Sequence, residues 1–308
     1  MSGARPSWYK PDVGLSMRMV FTIFLLGAVY VAFGFVLAKY GVPLSLLIVV
    51  AAGIAFVQFF FADKIALMAM GAREVTEAQA PQLHETIGRL AAQANLPKPR
   101  VAIVNTSLPN AFATGRDKNH AVVAVTTGIL SKLSPQELEA VLAHELTHII
   151  NRDMLVMTIA AFFSMVAGLI VRNFFWFGGG FGGYGRRRND NGGAAIALIF
   201  LVSIVVYAIS FLLIRALSRY RELAADRGSA LITGDPSHLA SALLRISNDM
   251  QRIPDKDFRE AQTVNALWIV PAIRGNSLMT LLSTHPSTEE RVRRLQAMQT
   301  QMEQSQRF

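Results

Sequence analysis

Four long uncharged stretches constrain the fold of this chain more than any other feature of its sequence. They cover residues 19–38, 41–62, 154–171 and 194–214 and contain 20, 22, 18 and 21 residues. An apolar α-helix needs about 20 residues to cross the roughly 30 Å hydrocarbon core of a bilayer. The sequence therefore predicts a membrane protein with four transmembrane helices, arranged as two hairpins.

Composition supports this prediction but leaves an alternative for the second hairpin. Only 17% of the residues are charged, against about 25% in a typical soluble domain. The net charge of +9 therefore fits contact with an anionic bilayer better than contact with nucleic acid. Because 154–171 is the shortest stretch, the second hairpin could instead be buried in protein or only partly inserted.

The distribution of basic residues predicts the orientation. An even number of crossings places both polar regions and the N-terminus on one side. Lysine and arginine are more numerous beside the spans on that side, which favours a cytoplasmic location for the polar regions. The basic run 186–188 lies on the other side and argues against full insertion of the second hairpin.

The segment from Ser134 to His148 carries the clearest signal for chemistry. Ser134 and Glu137 form a capping-box pattern, and Pro135 occupies the first helical position, so a helix is predicted to begin there. His144 and His148 are then one turn apart on the same face. Two imidazoles in this arrangement can bind one metal ion.

The residues around these histidines predict a zinc-dependent peptidase. The chain has no cysteine, so a metal site must use histidine and carboxylate ligands. Glu145 lies between His144 and His148, where it can take a proton from a metal-activated water that attacks the substrate carbonyl. A helix that carries these residues by chance is disfavoured, because unpaired buried histidines would be costly on an apolar face.

Two histidines leave zinc one protein ligand short. Glu222 and Asp226 are four residues apart on a predicted helix, where like charges repel unless a cation lies nearby. Glu222 could bind the metal while Asp226 orients a ligand histidine. Pairing with Arg219 or Arg227 explains the spacing equally well, so the residues alone leave both interpretations open.

Four motifs together resemble the HtpX family of heat-shock membrane proteases. They are HELTH (144–148), RELAAD (221–226), PNAFATG (109–115) and HPSTEER (285–291), interleaved with the apolar stretches. The resemblance implies a gluzincin: a mainly α-helical, zincin-like domain with a small β-sheet, in which one zinc ion is bound by two histidines and a glutamate. The implied ligands are His144, His148 and Glu222, with Asp226 behind them.

The resemblance also implies where the enzyme acts. It indicates an endopeptidase of the bacterial inner membrane that faces the cytoplasm and hydrolyses misfolded or damaged membrane proteins under stress. The expected partners are unfolded or membrane protein substrates and the lipid bilayer, without nucleic acid; the oligomeric state is not indicated. Two other functions stay open: a CaaX-type prenyl-protein protease, which normally has more spans, and an inactive scaffold with a structural zinc ion.

Substrate-binding residues are suggested by the same resemblance. Residues 100–105 and 120–126 are rich in Val and Ala and flank the loop 109–115, so a short hairpin-like pair of strands is predicted. An edge strand there would pair with an extended substrate backbone. The candidates are Asn110, Ala121, Val122 and Val123. From the residues alone, a turn and a buried strand are the simpler interpretations.

His285 is a candidate catalytic residue. In such enzymes a downstream histidine or arginine stabilises the oxyanion of the tetrahedral intermediate, which suggests His285 and, second, Arg291. A surface histidine at the start of a helix is the alternative, because Ser287 and Glu290 form another capping-box pattern.

These signals divide the chain into five parts. The predicted parts are a cytoplasmic tail (1–18), a transmembrane hairpin (19–62), a zincin core with the HExxH helix (63–153), the second hydrophobic hairpin (154–214) and the C-terminal part of the catalytic domain with the third zinc ligand (215–308).

Overall fold

The computed structural model describes residues 13–39, 44–153, 191–251, 269 and 285–305. Three helices within these ranges are long and apolar enough to cross a membrane. They are α1 (Val13–Lys39), α2 (Leu44–Met70) and α6 (Asn191–Thr233). The predicted stretch 154–171 lies outside the described residues. The described part of the chain thus supports three of the four predicted spans, and the fourth stays a prediction.

Helix α6 joins the membrane part of the molecule to the catalytic part. It has 43 residues and runs without a break past residue 214, where the sequence analysis separated a hairpin from the C-terminal region. No glycine or proline between 215 and 227 interrupts the helical sequence. The helix ends before Gly234, whose φ of +73° is favourable for glycine. The same helix therefore contains an apolar span and the predicted third ligand.

A small mixed sheet lies beside these helices. Its strands are β1 (Ala72–Glu74), β2 (Arg100–Val104), β3 (Ala111–Thr114) and β4 (Val122–Thr126), in the order β1-β2-β4-β3. Strand β2 pairs with β4 in parallel, whereas β1–β2 and β3–β4 are antiparallel. The predicted hairpin-like pair is therefore a parallel pair, and the two edges of the sheet are β1 and β3.

Helices cover both faces of the sheet. The remaining described helices are α3 (Pro81–Gln93), α4 (Thr127–Lys132), α5 (Pro135–Ile150), α7 (Pro236–Gln251) and α8 (Thr288–Ser305). Val123 packs in the main core with Leu142 and Leu146 of α5. On the opposite face, Phe112 packs with Leu67 near the end of α2. The predicted mainly helical fold with a small sheet is confirmed.

Candidate metal centre

Helix α5 begins as the sequence predicts. Ser134 Oγ accepts a hydrogen bond from the Glu137 backbone N–H, and the Ser134 N–H donates to Glu137 Oε2 at 2.8 Å. This reciprocal pair satisfies two backbone donors that a helix start leaves open. Its effect is to fix the start of a helix whose last three turns are almost entirely buried.

The two histidines of α5 point their outer nitrogens at one another. His144 Nε2 lies 3.2 Å from His148 Nε2, and the two rings are nearly perpendicular. Both side chains are buried. Two nitrogens at this distance can both bind a single cation that lies in front of the pair.

Glu222 of α6 completes a three-residue group. Its Oε2 lies 3.6 Å from His144 Nε2, and its Oε1 lies 3.6 Å from His148 Nε2. The carboxylate therefore faces both nitrogens. Among the described residues, His144, His148 and Glu222 form a buried group of ligand atoms able to hold one metal ion.

Each histidine is held from behind by its own carboxylate. His144 Nδ1 lies 3.0 Å from Asp226 Oδ1, and His148 Nδ1 lies 2.7 Å from Asp153 Oδ2. A proton on each Nδ1 leaves both Nε2 lone pairs directed into the site. Asp226 lies where the resemblance implies. Asp153 was missed by the sequence analysis, although the need for a second carboxylate behind His148 was a signal that could have found it.

This donor set fits a divalent cation. The two lone pairs repel one another unless a positive charge lies between them, and Glu222 adds a negative charge in front. Burial lowers the pKa of His144, but the carboxylates of Asp226 and Glu222 outweigh this effect and raise its pKa to about 9. The field that favours a proton on His144 equally favours a metal cation, so metal binding is expected to release protons.

Glu145 lies on the same buried helix and contacts the edge of the sheet. Its carboxylate accepts a hydrogen bond from the backbone N–H of Ala113 in β3, and the imidazoles of His144 and His148 are close. Burial raises the pKa of Glu145 above its ordinary value, and these favourable contacts counteract only part of that rise. A carboxylate in this state binds protons more readily than an exposed one.

The two C-terminal candidates take different positions. His285 is buried, and its Nδ1 lies 3.2 Å from Glu222 Oε2, so it is not a surface histidine. Arg291 is also buried; its Nε and Nη2 donate to both oxygens of Asp226 at 2.9 and 2.6 Å. Its Nη1 donates to the Ile269 carbonyl at 2.7 Å. Arg291 therefore supports Asp226 directly.

Asn110 lies at the start of the edge strand and is fully buried. Its Oδ1 accepts a hydrogen bond from the Ile269 N–H at 3.0 Å, and its own N–H donates to Thr126 Oγ1 at 2.9 Å. Asn110 thus connects β3, β4 and the segment at 269. Its contact with substrate stays a prediction.

The three other substrate candidates differ in position from the expectation. Ala121, Val122 and Val123 are buried, and the registers of β4 pair Val123 with Val101 on one side and Ala113 on the other. The backbone of Val122 and Val123 is occupied on both sides, because β4 lies between β2 and β3. Ala121 lies just before β4, and its carbonyl accepts a hydrogen bond from the Arg100 N–H at 3.0 Å. The strand with an open side, adjacent to Glu145, is β3.

A buried His-His-Glu group on two helices, one of them a candidate membrane span, with Glu145 beside it, is the arrangement expected of a membrane metalloprotease, and comparisons with known proteins show the same class. The model of "Peptidase family M48" matches residues 77–299, and the chain belongs to this family. It is 55% identical over 293 residues to "Protease HtpX homolog" of Moorella thermoacetica, covering 95% of this chain and 97% of that protein.

A second relative and a solved structure are also similar to this chain. The chain is 48% identical over 299 residues to "Protease HtpX homolog 1" of Streptomyces coelicolor, covering 96% of each. Its fold is similar to the crystal structure of S. mikatae Ste24p, with a TM-score of 0.52 and 16% identity, covering 92% of this chain and 67% of that one. The predicted resemblance and the predicted metalloprotease activity are confirmed.

Proposed function

We propose that this chain is a zinc-dependent endopeptidase that cleaves misfolded or damaged membrane proteins at the cytoplasmic face of a bacterial inner membrane. The facing Nε2 atoms of His144 and His148, with Glu222 in front of both, carry the proposal. Tetrahedral zinc with Zn–N bonds of 2.0–2.1 Å separates two nitrogens by about 3.3 Å, close to the 3.2 Å between them. When bound, zinc supplies Lewis-acid activation of water and of the substrate carbonyl.

Glu145 is proposed as the general base. It lies next to His144 on α5, and the Ala113 N–H fixes its carboxylate toward β3. From there it takes a proton from the attacking water and delivers it to the amine that leaves. The raised pKa of Glu145 favours the first of these steps, because a carboxylate with a higher pKa accepts a proton more readily.

The open side of β3 is proposed to bind substrate. An extended peptide that adds to β3 would pair through backbone hydrogen bonds and would lie directly in front of Glu145. Such pairing makes few demands on side chains, which suits a protease of damaged proteins. Asn110 holds the start of this strand, Val122 and Val123 support it from β4, and Ala121 lies just before β4.

His285 is proposed to stabilise the oxyanion. Its ring is beside Glu222, on the rim of the three-residue ligand group, where a developing negative charge on the substrate would be close. The charge of Arg291, 3.6 Å from Glu222 Oε2, adds to the positive potential there. His285→Ala is expected to lower turnover while the bound metal is retained.

The predicted five-part organisation and the cytoplasmic orientation are part of the proposal. Lys64 and Arg73 lie close to the end of α2, and Arg215, Arg219 and Arg221 follow the apolar part of α6. Basic residues at this end favour the cytoplasmic side. The chain has no cysteine, so a single Ser237→Cys variant can be labelled selectively. Labelling in inside-out vesicles and not in intact spheroplasts is expected; the reverse pattern would refute this orientation.

Cleavage of an unfolded protein by the detergent-solubilised enzyme tests the chemistry. Removing metal with a chelator should abolish cleavage, and adding stoichiometric zinc should restore it. Elemental analysis of the purified protein should find about one zinc ion per chain. Cleavage that persists after complete metal removal would refute a metal-dependent mechanism, whereas restoration by another metal alone would refute zinc.

A further inference from the structure

Helices α5 and α6 carry the two halves of the metal centre and approach each other very closely where they cross. Ser229 Oγ of α6 donates to the Ala140 carbonyl of α5 at 2.7 Å. Next to it, Gly228 lies against Thr147. A Cβ atom added to Gly228 would be 2.9 Å from Thr147 Cβ and 2.5 Å from its Oγ1, and it would be closer still to Cγ2.

Thr147 cannot move aside easily. It is β-branched, which restricts its χ1 angle, and it is fully buried. Its Oγ1 donates to the Ala143 carbonyl at 2.8 Å, which holds the rotamer. Non-bonded carbon atoms normally approach to about 3.5–4.0 Å. A side chain at 228 would therefore have to push the two helices apart.

A change in this separation would act on the metal ligands. Thr147 precedes His148, and Gly228 lies six residues, or about 9 Å along the helix, after Glu222. The ligands of α5 and α6 meet only across this crossing, with 3.6 Å between Glu222 and each Nε2 atom. Ligand–metal distances in well-formed sites lie within about 0.2 Å of their standard values, so a shift of one helix against the other moves Glu222 relative to both histidines.

We propose that the Gly228–Thr147 contact sets the distance between the two halves of the metal centre. Gly228 is thus a positioning residue that acts through Glu222 and Asp226, and its lack of a side chain is the property that matters. The inference rests on the proposed metal site, since it describes how that site is assembled.

Metal affinity measured by competition with a chromophoric chelator tests this contact. Gly228→Ala should weaken zinc binding on the order of 10–100-fold, as changes to groups that orient ligands do. The double variant Gly228→Ala with Thr147→Ala removes the nearest atoms and should bind zinc to within several-fold of Thr147→Ala alone. Recovery of zinc binding when Thr147 is also replaced by the smaller alanine is expected only if the Gly228→Ala loss comes from a steric clash between these two residues.

Two controls separate positioning from general stability. Ser229→Ala removes the neighbouring hydrogen bond without adding volume and should change zinc affinity less than Gly228→Ala. Leu243→Ala creates a cavity at a buried position of α7, a helix that carries none of the proposed metal ligands, and should lower Tm while zinc affinity is retained. Equal loss of zinc affinity in Leu243→Ala and Gly228→Ala would show that the effect is stability alone and would overturn the proposal.

The outcomes distinguish this inference from the proposed function. If the unaltered protein binds no zinc, the proposed metal site itself is wrong. If it binds zinc and Gly228→Ala binds it equally well, only the spacing role is refuted. If Gly228→Ala does not fold, the double variant decides: zinc binding within several-fold of Thr147→Ala supports the role, because removing the nearest Thr147 atoms then restores the site, and zinc binding more than about 10-fold weaker than in Thr147→Ala, in a double variant that folds, overturns it.

Discussion

The metal centre and the edge strand perform adjacent tasks with different parts of the chain. At the metal centre the functional groups belong to side chains. They are two histidines, Glu222 and one carboxylate behind each imidazole, and all of them are buried. At β3 the useful groups belong to the backbone, such as the Ala113 N–H that reaches Glu145. In the proposed mechanism, the chemistry therefore depends on residue identity, whereas substrate binding depends on the position of a strand. We expect such an enzyme to require its catalytic residues strictly and to accept many substrate sequences.

The largest effect is expected from Glu145→Gln. The amide keeps the size of the side chain but cannot accept the proton, so turnover should fall by about 10²–10⁴-fold. Zinc content should be unchanged, because Glu145 is not one of the three ligands. Cleavage assays and elemental analysis of the same preparation provide the measurement. Turnover near that of the unaltered enzyme would exclude Glu145 as the base.

The next prediction concerns the carboxylate that the sequence analysis missed. Asp153→Asn removes the negative charge behind His148 and should weaken zinc binding by about 10–100-fold. Asp226→Asn provides the matched change behind His144. Similar losses would show that the two imidazoles are held equivalently. Retention of full affinity in Asp153→Asn would mean that its 2.7 Å contact with His148 does not orient the ligand.

A change confined to the backbone of β3 tests the other side of the comparison. Ala113→Pro removes the N–H that donates to Glu145, and a hydrogen bond to a charged group is worth about 1.5–3 kcal/mol. Because 1.4 kcal/mol corresponds to tenfold in rate, kcat/KM should fall by about 10–100-fold while zinc is retained. Val123→Ala in β4 is the control. It should lower Tm, and its effect on kcat/KM should be smaller than that of Ala113→Pro.

Some parts of this arrangement could be predicted from sequence because their causes are local. The capping box at Ser134 and the one-turn spacing of the histidines depend on residues within a few positions. Glu222 needed the family motif, because its approach to α5 depends on how two distant helices cross. Asp153 lies just beyond the end of α5, where Arg152 takes a positive φ of 58° that spacing does not reveal.

The sheet also shows that features set by distant parts of the chain are hard to predict from local sequence. The residues of β2 and β4 were predicted as a hairpin-like pair of strands, but the two strands pair in parallel, because the order and direction of strands in a sheet are set by how the chain crosses and not by composition. The consequence was to assign the edge to Val122 and Val123 instead of to β3. Likewise, the continuity of α6 past residue 214 follows from the absence of a helix breaker, which hydropathy does not measure.

The smallest expected effect comes from Glu137, which holds the start of α5 without touching either region. Burial raises the pKa of Glu137, but hydrogen bonds from Ser241 and Ser134 outweigh this, and the pKa lies below its ordinary value. Its stabilising effect is therefore fully present above the pKa of an unfolded glutamate, about 4.3, and is lost as pH falls through the lower value of the folded state.

Glu137→Gln should remove the charge, while the amide oxygen can still accept the Ser134 N–H, so we expect a cost of about 0.3–1 kcal/mol, the range for a carboxylate at a helix N-terminus. At pH 7 the variant should have a Tm lower by roughly 2–4 °C per kcal/mol, and the difference from the unaltered protein should shrink as the pH falls below about 4. Thermal unfolding in detergent across this range measures both. Zinc affinity and KM should stay constant, because α5 is held near His144 by its contacts with α6. A change in zinc affinity as large as that of Asp153→Asn would show instead that the helix start, and not the contacts near the metal, determines where the ligands lie.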